Sequence, residues 1–496
     1  MFKNIIGSHK PDILDCISNL SSDEVFTPPS IVNQVLDLLP AEVWINPKLK
    51  FLDPATKSGV FLREIAKRLM VGLEGEMPDE NKRREHIFKN MLYGISITEL
   101  TGYLARRSLY YSKAANTEFS VIKFDDEQGN IHYSRGKHNY VRGKCIDCGA
   151  PAGSLDRGEQ LENHAYQFIH KKEVFKMKFD VIVGNPPYQL QDAGDTTGAS
   201  PIYHLFVNRA KQLNPKYLSL IIPSRWFGGG KGLDIFRKEM LNDNRIKKIV
   251  DFTNASDCFP GVDIAGGVCY FLWDRDYSGE CEVINHIAGR TYTSMRKLNQ
   301  FDTFIRYGTA STVLEKVKNK TKVFLSEDVS SLRPFGLRTY VRPEDEGDLK
   351  LFWSGGEGNF PSDKVTMGHD MIDKWKTITS IRSYDHGGLP DKDGYRRVLS
   401  RVEILSPKTI CTETYIVIGI FETSREAQLL YGYLKTKFVR FLISLMSFSQ
   451  DISKKSYTLV PKLNLNNAWT DKDLYKHFEL TEEEIVFIET HIKEML

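Results

Sequence analysis

The chain reads as an α/β protein built on an open, mostly parallel sheet, and three observations carry that reading. Phe51-Leu52-Asp53-Pro54-Ala55-Thr56-Lys57-Ser58-Gly59 is an apolar run closed by a turn of small residues. Apolar positions then follow at Val60, Phe61, Leu62, Ile65, Ala66, Leu69 and Met70, one broad helical face, so the segment is strand, turn, helix. Asp180-Val181-Ile182-Val183-Gly184 is a second apolar run, and Asn185-Pro186-Pro187-Tyr188 stops it, because two prolines cannot continue a strand or a helix. The third observation is a series of further apolar runs, Tyr217 to Ile222, Ile246 to Phe252 and Gly266 to Trp273. Ligands of such sheets bind outside the carboxyl ends of the strands.

Composition narrows the class. At 496 residues the chain has room for two or three domains, and 41% hydrophobic with 26% charged residues is ordinary for a soluble globular protein. No apolar run is long enough to span a bilayer, and the stretch Met1 to Gly7 is too short for a signal peptide, so a cytoplasmic chain with no membrane partner is expected. Seven scattered cysteines argue against a disulfide framework. A net charge of +3 permits a nucleic-acid partner without demanding one.

Taken in order, the first element is a helix after Phe26-Thr27-Pro28-Pro29-Ser30, with Ser30 or Thr27 as its N-cap. In the turn at 53–59 the acidic Asp53 would attract a cationic group such as the amino group of a methionine moiety, and the motif lacks the ending of a phosphate-binding P-loop. Leu92 to Glu99 reads as a strand and a helix start, continued by Leu100, Leu104, Ala105 and Leu109. Val121 to Asp126 reads as the next strand with an acidic end.

Between 129 and 172 the pattern leaves the sheet. Cys145 and Cys148 precede His164 and His170 in the spacing C-x2-C-x15-H-x5-H, within reach of a structural zinc site. Metal binding can supply ~10–16 kcal/mol to a unit with little core. The competing reading is a reduced cysteine pair and two surface histidines.

The turn at 185–188 suggests chemistry of its own. An exocyclic amino group on a base is a poor nucleophile, because its lone pair is delocalised into the ring. If the side-chain oxygen of Asn185 and the backbone carbonyl of Pro186 accept its two hydrogens, the nitrogen moves towards tetrahedral geometry and its lone pair becomes available. Tyr188 offers a stacking face, worth roughly 1–3 kcal/mol per base in other systems. The polar stretch from Gln189 to Ser200 is a loop that could close over a bound base, and Phe259 is either a second face for it or a core aromatic. From about Lys297 the chain changes character and interleaves basic with aromatic residues, as in Arg338-Thr339-Tyr340-Val341-Arg342, Arg382-Ser383-Tyr384 and Tyr395-Arg396-Arg397.

Phe26-Thr27-Pro28-Pro29, then Asp53 to Gly59, then Asn185 to Tyr188, in that order and over roughly residues 20 to 290, resembles a gamma-class adenine-N6 DNA methyltransferase of bacterial restriction-modification systems. The resemblance implies a Rossmann-like S-adenosylmethionine-dependent sheet at 1–295 and an α+β target-recognition domain at 296–496; the small zinc-ribbon-like insertion at 129–172 is read from the Cys and His spacing alone. It implies that Phe26, Thr27, Pro28, Asp53, Pro54, Ala55 and Gly59 border the cofactor, with Glu99 and Asp125 as candidates for its ribose and adenine. Asn185, Pro186, Pro187 and Tyr188 would form the catalytic turn and Phe259 would back the base. The implied substrate is adenine N6 in double-stranded DNA, and any nuclease or helicase activity would belong to a separate subunit. Two residues depart from the family pattern: Lys57 replaces a small residue, and Ser96 stands where the ribose-binding acid usually is. They keep open a recognition subunit with weak or no transferase activity. Cytosine N4, an RNA base or a protein glutamine are alternative NH2 acceptors.

Overall fold

The computed structural model describes residues 26–152, 164–170, 174–190, 200–287, 289–385, 390–447 and 450–495. Most of the loop expected after Gln189 lies outside them. Two compact units form, with a re-entrant boundary: the first runs to His286 and takes in Met295–Asp302, and the second comprises Ile287–Ser294 and Thr303–Leu496.

The largest sheet contains β1 (Phe51–Thr56), β2 (Leu92–Ser96), β3 (Ile131–His132), β4 (Val181–Gly184), β5 (Tyr217–Pro223), β6 (Ile246–Phe252), β7 (Val268–Asp274), β8 (Cys281–Ile287) and β9 (Arg290–Arg296). Their spatial order is β9-β8-β6-β7-β5-β4-β1-β2-β3. β1 is parallel to β2 and β4, β2 to β3, β4 to β5 and β6 to β8, whereas β7 runs antiparallel between β5 and β6. β1, β2, β4 and β5 are buried along their whole length, which is why their sequences are continuous rather than alternating. The order turns back at β1, with β2 and β3 on one side and β4 and β5 on the other. A doubly wound sheet opens its ligand crevice at this point, beyond the carboxyl ends of β1 and β4.

Helices α1 (Pro29–Leu36), α2 (Val60–Gly72), α3 (Glu99–Tyr110), α4 (Tyr203–Gln212) and α5 (Asp234–Asn242) belong to the same unit. α2 buries Val60, Phe61, Leu62, Ile65, Ala66 and Leu69, the face expected from their spacing, in one core with Ile31, Val32, Val35 and Leu36 of α1. Gly59 caps α2 with φ +75°, and a Cβ there would stand 2.9 Å from the Ala105 Cα of α3. A glycine is needed both for the turn and for the helices' close approach.

Two local expectations are corrected. Residues 121–126 are not a strand: Val121 N–H bonds Tyr110 O and Phe124 N–H bonds Ala115 O, so the segment folds back on the end of α3. The third strand is Ile131–His132, paired with Gly94 and Ile95. The N-cap of α1 is Pro28, with no side-chain cap, and neither Ser30 nor Thr27 takes that role. Pro29, next in the chain, carries no N–H to be capped, which lowers the demand for a cap, and the Thr27 hydroxyl is engaged elsewhere.

The second unit is α+β. It holds two three-stranded sheets, one from β10 (Leu349–Trp353), β11 (Gly356–Phe360) and β14 (Thr409–Cys411), the other from β12 (Trp375–Ser380), β13 (Val402–Leu405) and β15 (Tyr415–Phe421). Five helices join them, of which Lys437–Ser444 is buried all round from Phe438 onward, including Arg440 at 1% exposure. Arg440 is tolerated there because its guanidinium donates to the carbonyls of Lys435 and Arg397 at 3.1 and 3.2 Å.

Candidate cofactor cleft and catalytic turn

At the head of β1 the register with β2 shifts between Asp53 and Thr56, so the strand bulges at Pro54 and Ala55. The bulge turns Asp53 inward, leaving it 2% exposed. Its Oδ1 accepts the Ala55 N–H at 3.1 Å, and the Thr56 hydroxyl bonds the Asp53 carbonyl at 3.0 Å. Burial pushes the Asp53 carboxyl up to about 7, against the opposing pull of the Ala55 N–H, Thr56 and the Lys57 ammonium. Lys57, the departure from the family pattern, is thus a buried cation beside a buried acid.

The β4 strand closes on the same point. A Cβ on Gly184 would lie 2.7 Å from Asp53 Oδ1, so only glycine there leaves room for the carboxylate. The next residue, Asn185, is 3% exposed, and its Nδ2 donates to Thr27 Oγ1 at 3.1 Å across 158 residues of sequence. That bond orients the amide plane and ties the Phe26-Thr27-Pro28 stretch to the Asn-Pro-Pro-Tyr turn. Phe26 and Thr27 are themselves buried. Thr27, Asp53, Ala55, Lys57, Ser58, Gly59, Val60, Phe61 and Asn185 line one small, half-open cleft. A larger cavity of about 430 Å³, lined by Leu52, Ile95, Phe168, Phe175, Arg209 and Leu213 among others, contains none of the motif residues. Chemistry, not volume, marks the site.

Pro186 and Pro187 are buried and Tyr188 is half-buried, packed against the main core with its hydroxyl enclosed. Burial raises the Tyr188 hydroxyl well above its usual range, so it stays neutral. The stem of the following loop is closed: Gln189 and Leu190 pair with Pro201 and Ser200, and Ile202 N–H bonds Tyr188 O at 3.1 Å.

The outlying candidates fall differently. Ser96 ends β2 at 1% exposure, and its hydroxyl has no hydrogen-bond partner among the described residues. Glu99 is exposed on the first turn of α3 and accepts from the Tyr103 hydroxyl at 2.7 Å. Asp125 is exposed on the irregular segment before β3. Phe259 is 1% exposed within the apolar cluster against which Tyr188 packs.

In the insertion, the four expected metal ligands do not all meet. Cys145, Cys148 and His170 come together, but the fourth member of the cluster is His138, not His164. His164 instead places Nδ1 3.2 Å from the Tyr166 hydroxyl. His138 precedes the hairpin that carries the cysteines, so a search for histidines downstream of the pair misses it; the spacing is H-x6-C-x2-C-x21-H. The signal available in sequence was a histidine flanking the other side of the pair.

A doubly wound sheet with an acidic glycine turn after β1 and Asn-Pro-Pro-Tyr after β4 is the arrangement that the methyltransferase resemblance implied. Residues 90–259 match the model of the Eco57I restriction-modification methylase family. An "Uncharacterized adenine-specific methylase" of Mycoplasma pneumoniae is 40% identical over 306 residues, which span 55% of this chain and 72% of that protein. The chain belongs to this family of adenine-specific methylases of restriction-modification type. Among solved structures, the type IIL restriction-modification enzyme MmeI in complex with DNA aligns over 95% of this chain and 77% of its own, at 10% identity and TM-score 0.49. The EcoKI M protein of a type I restriction enzyme aligns over 55% and 50%, at 12% identity and TM-score 0.35, so the chain spans about half of that subunit. Among the described residues no helix is long and apolar enough to cross a membrane.

Proposed function

We propose that this chain methylates N6 of an adenine flipped out of duplex DNA at a specific site, as the modification component of a restriction-modification or phage-defence system. The observation that carries the reading is the convergence of three motifs on one cleft, through the Asn185 to Thr27 hydrogen bond and the Gly184 contact with Asp53.

Methyltransferases of this family use S-adenosylmethionine, and the residues present suit it. Asp53 is a buried carboxylate with a matching need for a cation, Gly59 keeps the turn free of side chain, and the Ser96 hydroxyl is a buried polar group without a partner at the strand end nearest the expected ribose. Bound there, the cofactor supplies an electrophilic methyl on a sulfonium leaving group. The chain's own residues do the rest. Asp53 holds the ammonium of the methionine end, and the backbone at 54–59 borders it. Asn185, its amide plane set by Thr27, accepts one amino hydrogen of adenine through Oδ1, and the Pro186 carbonyl accepts the other. The stiff proline turn keeps these acceptors in place, so catalysis is positioning and preorganised electrostatics. Tyr188 stacks on the extruded base, which must leave the duplex for its N6 to be reached.

The domain that the sequence places at 296–496, most of which lies in the second unit, is the specificity domain. Exposed Tyr340 and Tyr384 support this, as do Arg342 over the Trp353 ring at 4.4 Å and Arg397 over Tyr384 at 4.2 Å, which present flat cationic and aromatic surfaces. Other basic residues of this region serve the fold: Arg396 pairs with buried Asp385 at 3.1 Å and Arg333 with Glu413 at 2.6 Å. Any nuclease or helicase acts as a separate partner.

Tritiated cofactor, duplex DNA and digestion to nucleosides test the proposal. Label in N6-methyldeoxyadenosine, confined to duplexes of particular sequence, is expected. Label in N4-methyldeoxycytidine, RNA or protein would overturn it, and so would cofactor binding without transfer.

A further inference from the structure

We infer that His138, Cys145, Cys148 and His170 form a structural zinc site. One ligand atom from each lies within 4.8 Å of all the others. With Zn–S near ~2.3 Å and Zn–N near ~2.0 Å, a tetrahedral ion needs ligand-to-ligand edges of roughly 3.3–3.8 Å. Cys148 Sγ stands 3.5 Å from His138 Nδ1, which is such an S–N edge. The whole set is therefore within a small side-chain adjustment of a tetrahedron. Two thiols with two imidazoles are the donors of a closed zinc site and are unsuited to calcium or magnesium.

The backbone is shaped for that geometry. Tyr140–Val141 and Lys144–Cys145 form a two-stranded hairpin, with Arg142 and Gly143 in left-handed conformation at its tip. After it, Gly149 N–H bonds the Cys145 carbonyl at 2.8 Å and Cys145 N–H bonds Ala150 O at 2.8 Å. Gly149 has φ +77°, so the chain curls round the pair and both sulfurs face one side. Both cysteines are free thiols rather than a disulfide.

The histidines arrive prepared. His170 Nδ1 lies 3.0 Å from the Tyr166 carbonyl, which assigns the ring proton to Nδ1 and leaves Nε2 with its lone pair. That Nε2 is buried and has no hydrogen-bond partner among the described residues. A backbone carbonyl on the distal nitrogen is the usual way a protein orients a metal-bound imidazole. His138 meets His170 edge to face, with ring centroids 4.9 Å apart and planes at 90°, so the two rings approach one point from different directions.

The ion would join three pieces of chain with little core of their own: the loop that carries His138, the cysteine hairpin and the helix Gln167–His170. That helix also braces the catalytic half of the sheet. Phe168 stacks on Phe206 of α4 with centroids 5.7 Å apart, Tyr166 packs on the same ring, and α4 begins directly after the Ile202 bond to Tyr188. Zinc would thus support the helix behind the catalytic turn without touching the reacting atoms.

Elemental analysis of the purified full-length chain is expected to show one zinc per chain. After chelation, Co2+ should give the intense visible bands of a tetrahedral ion and a thiolate-to-cobalt charge-transfer band. His138→Asn should lower bound metal at least about tenfold, whereas His164→Asn should keep it. Absence of zinc in the purified chain together with no cobalt spectrum would overturn the inference. So would metal retained by His138→Asn and lost by His164→Asn. If a ligand variant fails to fold, zinc content and the cobalt spectrum of the unaltered chain decide. None of these readouts depends on methyl transfer.

Discussion

The cleft at β1 and β4 and the cysteine-histidine cluster of the insertion are both assembled from distant parts of the chain, yet they are held in opposite ways. In the cleft every member but Thr27 sits within a few residues of a buried strand end, and close contacts leave little latitude: Gly184 abuts the Asp53 carboxylate, and Gly59 abuts the Ala105 backbone. In the insertion the strands are two residues long, and the cluster rests on side chains converging from a loop, a hairpin and a four-residue helix. The difference teaches that a site built on a sheet inherits its geometry from the fold, whereas a site in an insertion must supply its own cross-link.

If the cleft is that rigid, small changes within it should be costly. The largest effect is expected for Asn185→Ala: methyl transfer should fall by on the order of 10³-fold or more, as when a positioned polar group is removed from other active sites. Cofactor binding by calorimetry and the circular dichroism spectrum should be largely retained; near-normal transfer would end the catalytic assignment. Gly184→Ala comes next. Its methyl group and the Asp53 carboxylate cannot share the space, so thermal scans should show a loss of about 1–3 kcal/mol, the usual range for overpacking, together with weaker cofactor binding. An unchanged melting curve would show that the β1 to β4 contact yields.

Asp53 then offers a pH test. Its folded-state value, about 7, lies above the unfolded value of 3.8, so the stability it contributes in the ligand-free protein is full below the unfolded value and is lost as pH rises towards and through 7. Cofactor binding has the opposite sense, since the ammonium selects the ionised carboxylate. Affinity should rise up to about tenfold per pH unit below 7 and level off above it. Asp53→Asn should flatten both profiles, and a pH-independent affinity in the unaltered chain would show that Asp53 does not face the ammonium. The smallest effect separates Glu99 from Ser96. Glu99→Gln, at an exposed helix start, should change cofactor affinity by less than about twofold, in line with a helix-terminus charge of a few tenths of a kcal/mol. Ser96→Ala should weaken it by about fivefold, the value of one neutral hydrogen bond. The reverse ranking would return the ribose contact to Glu99.

Legibility followed the same division. The strand ends at Asp53 and Gly184 were readable because prolines, glycines and unbroken apolar runs restrict the backbone by covalent and steric rules that act between neighbours. The strand expected at 121–126 was not readable in the same way. Its alternating apolar residues suit a strand, but Ile122 and Phe124 pack into the core from a loop, and that choice depends on the end of α3.

The sequence by itself determined the doubly wound core, the acidic turn of small residues at 53–59, the proline-locked turn at 185–188 and the presence of a cysteine pair apt for metal. Only the tertiary structure decided that the Thr27 hydroxyl serves Asn185 rather than the start of α1, that Glu99 faces outward while Ser96 is enclosed, and that His138 joins the cysteines in place of His164. The physical reason is range. Local stereochemistry is written in adjacent residues, but which distant side chains meet is set by the packing of everything between them, and no motif encodes that.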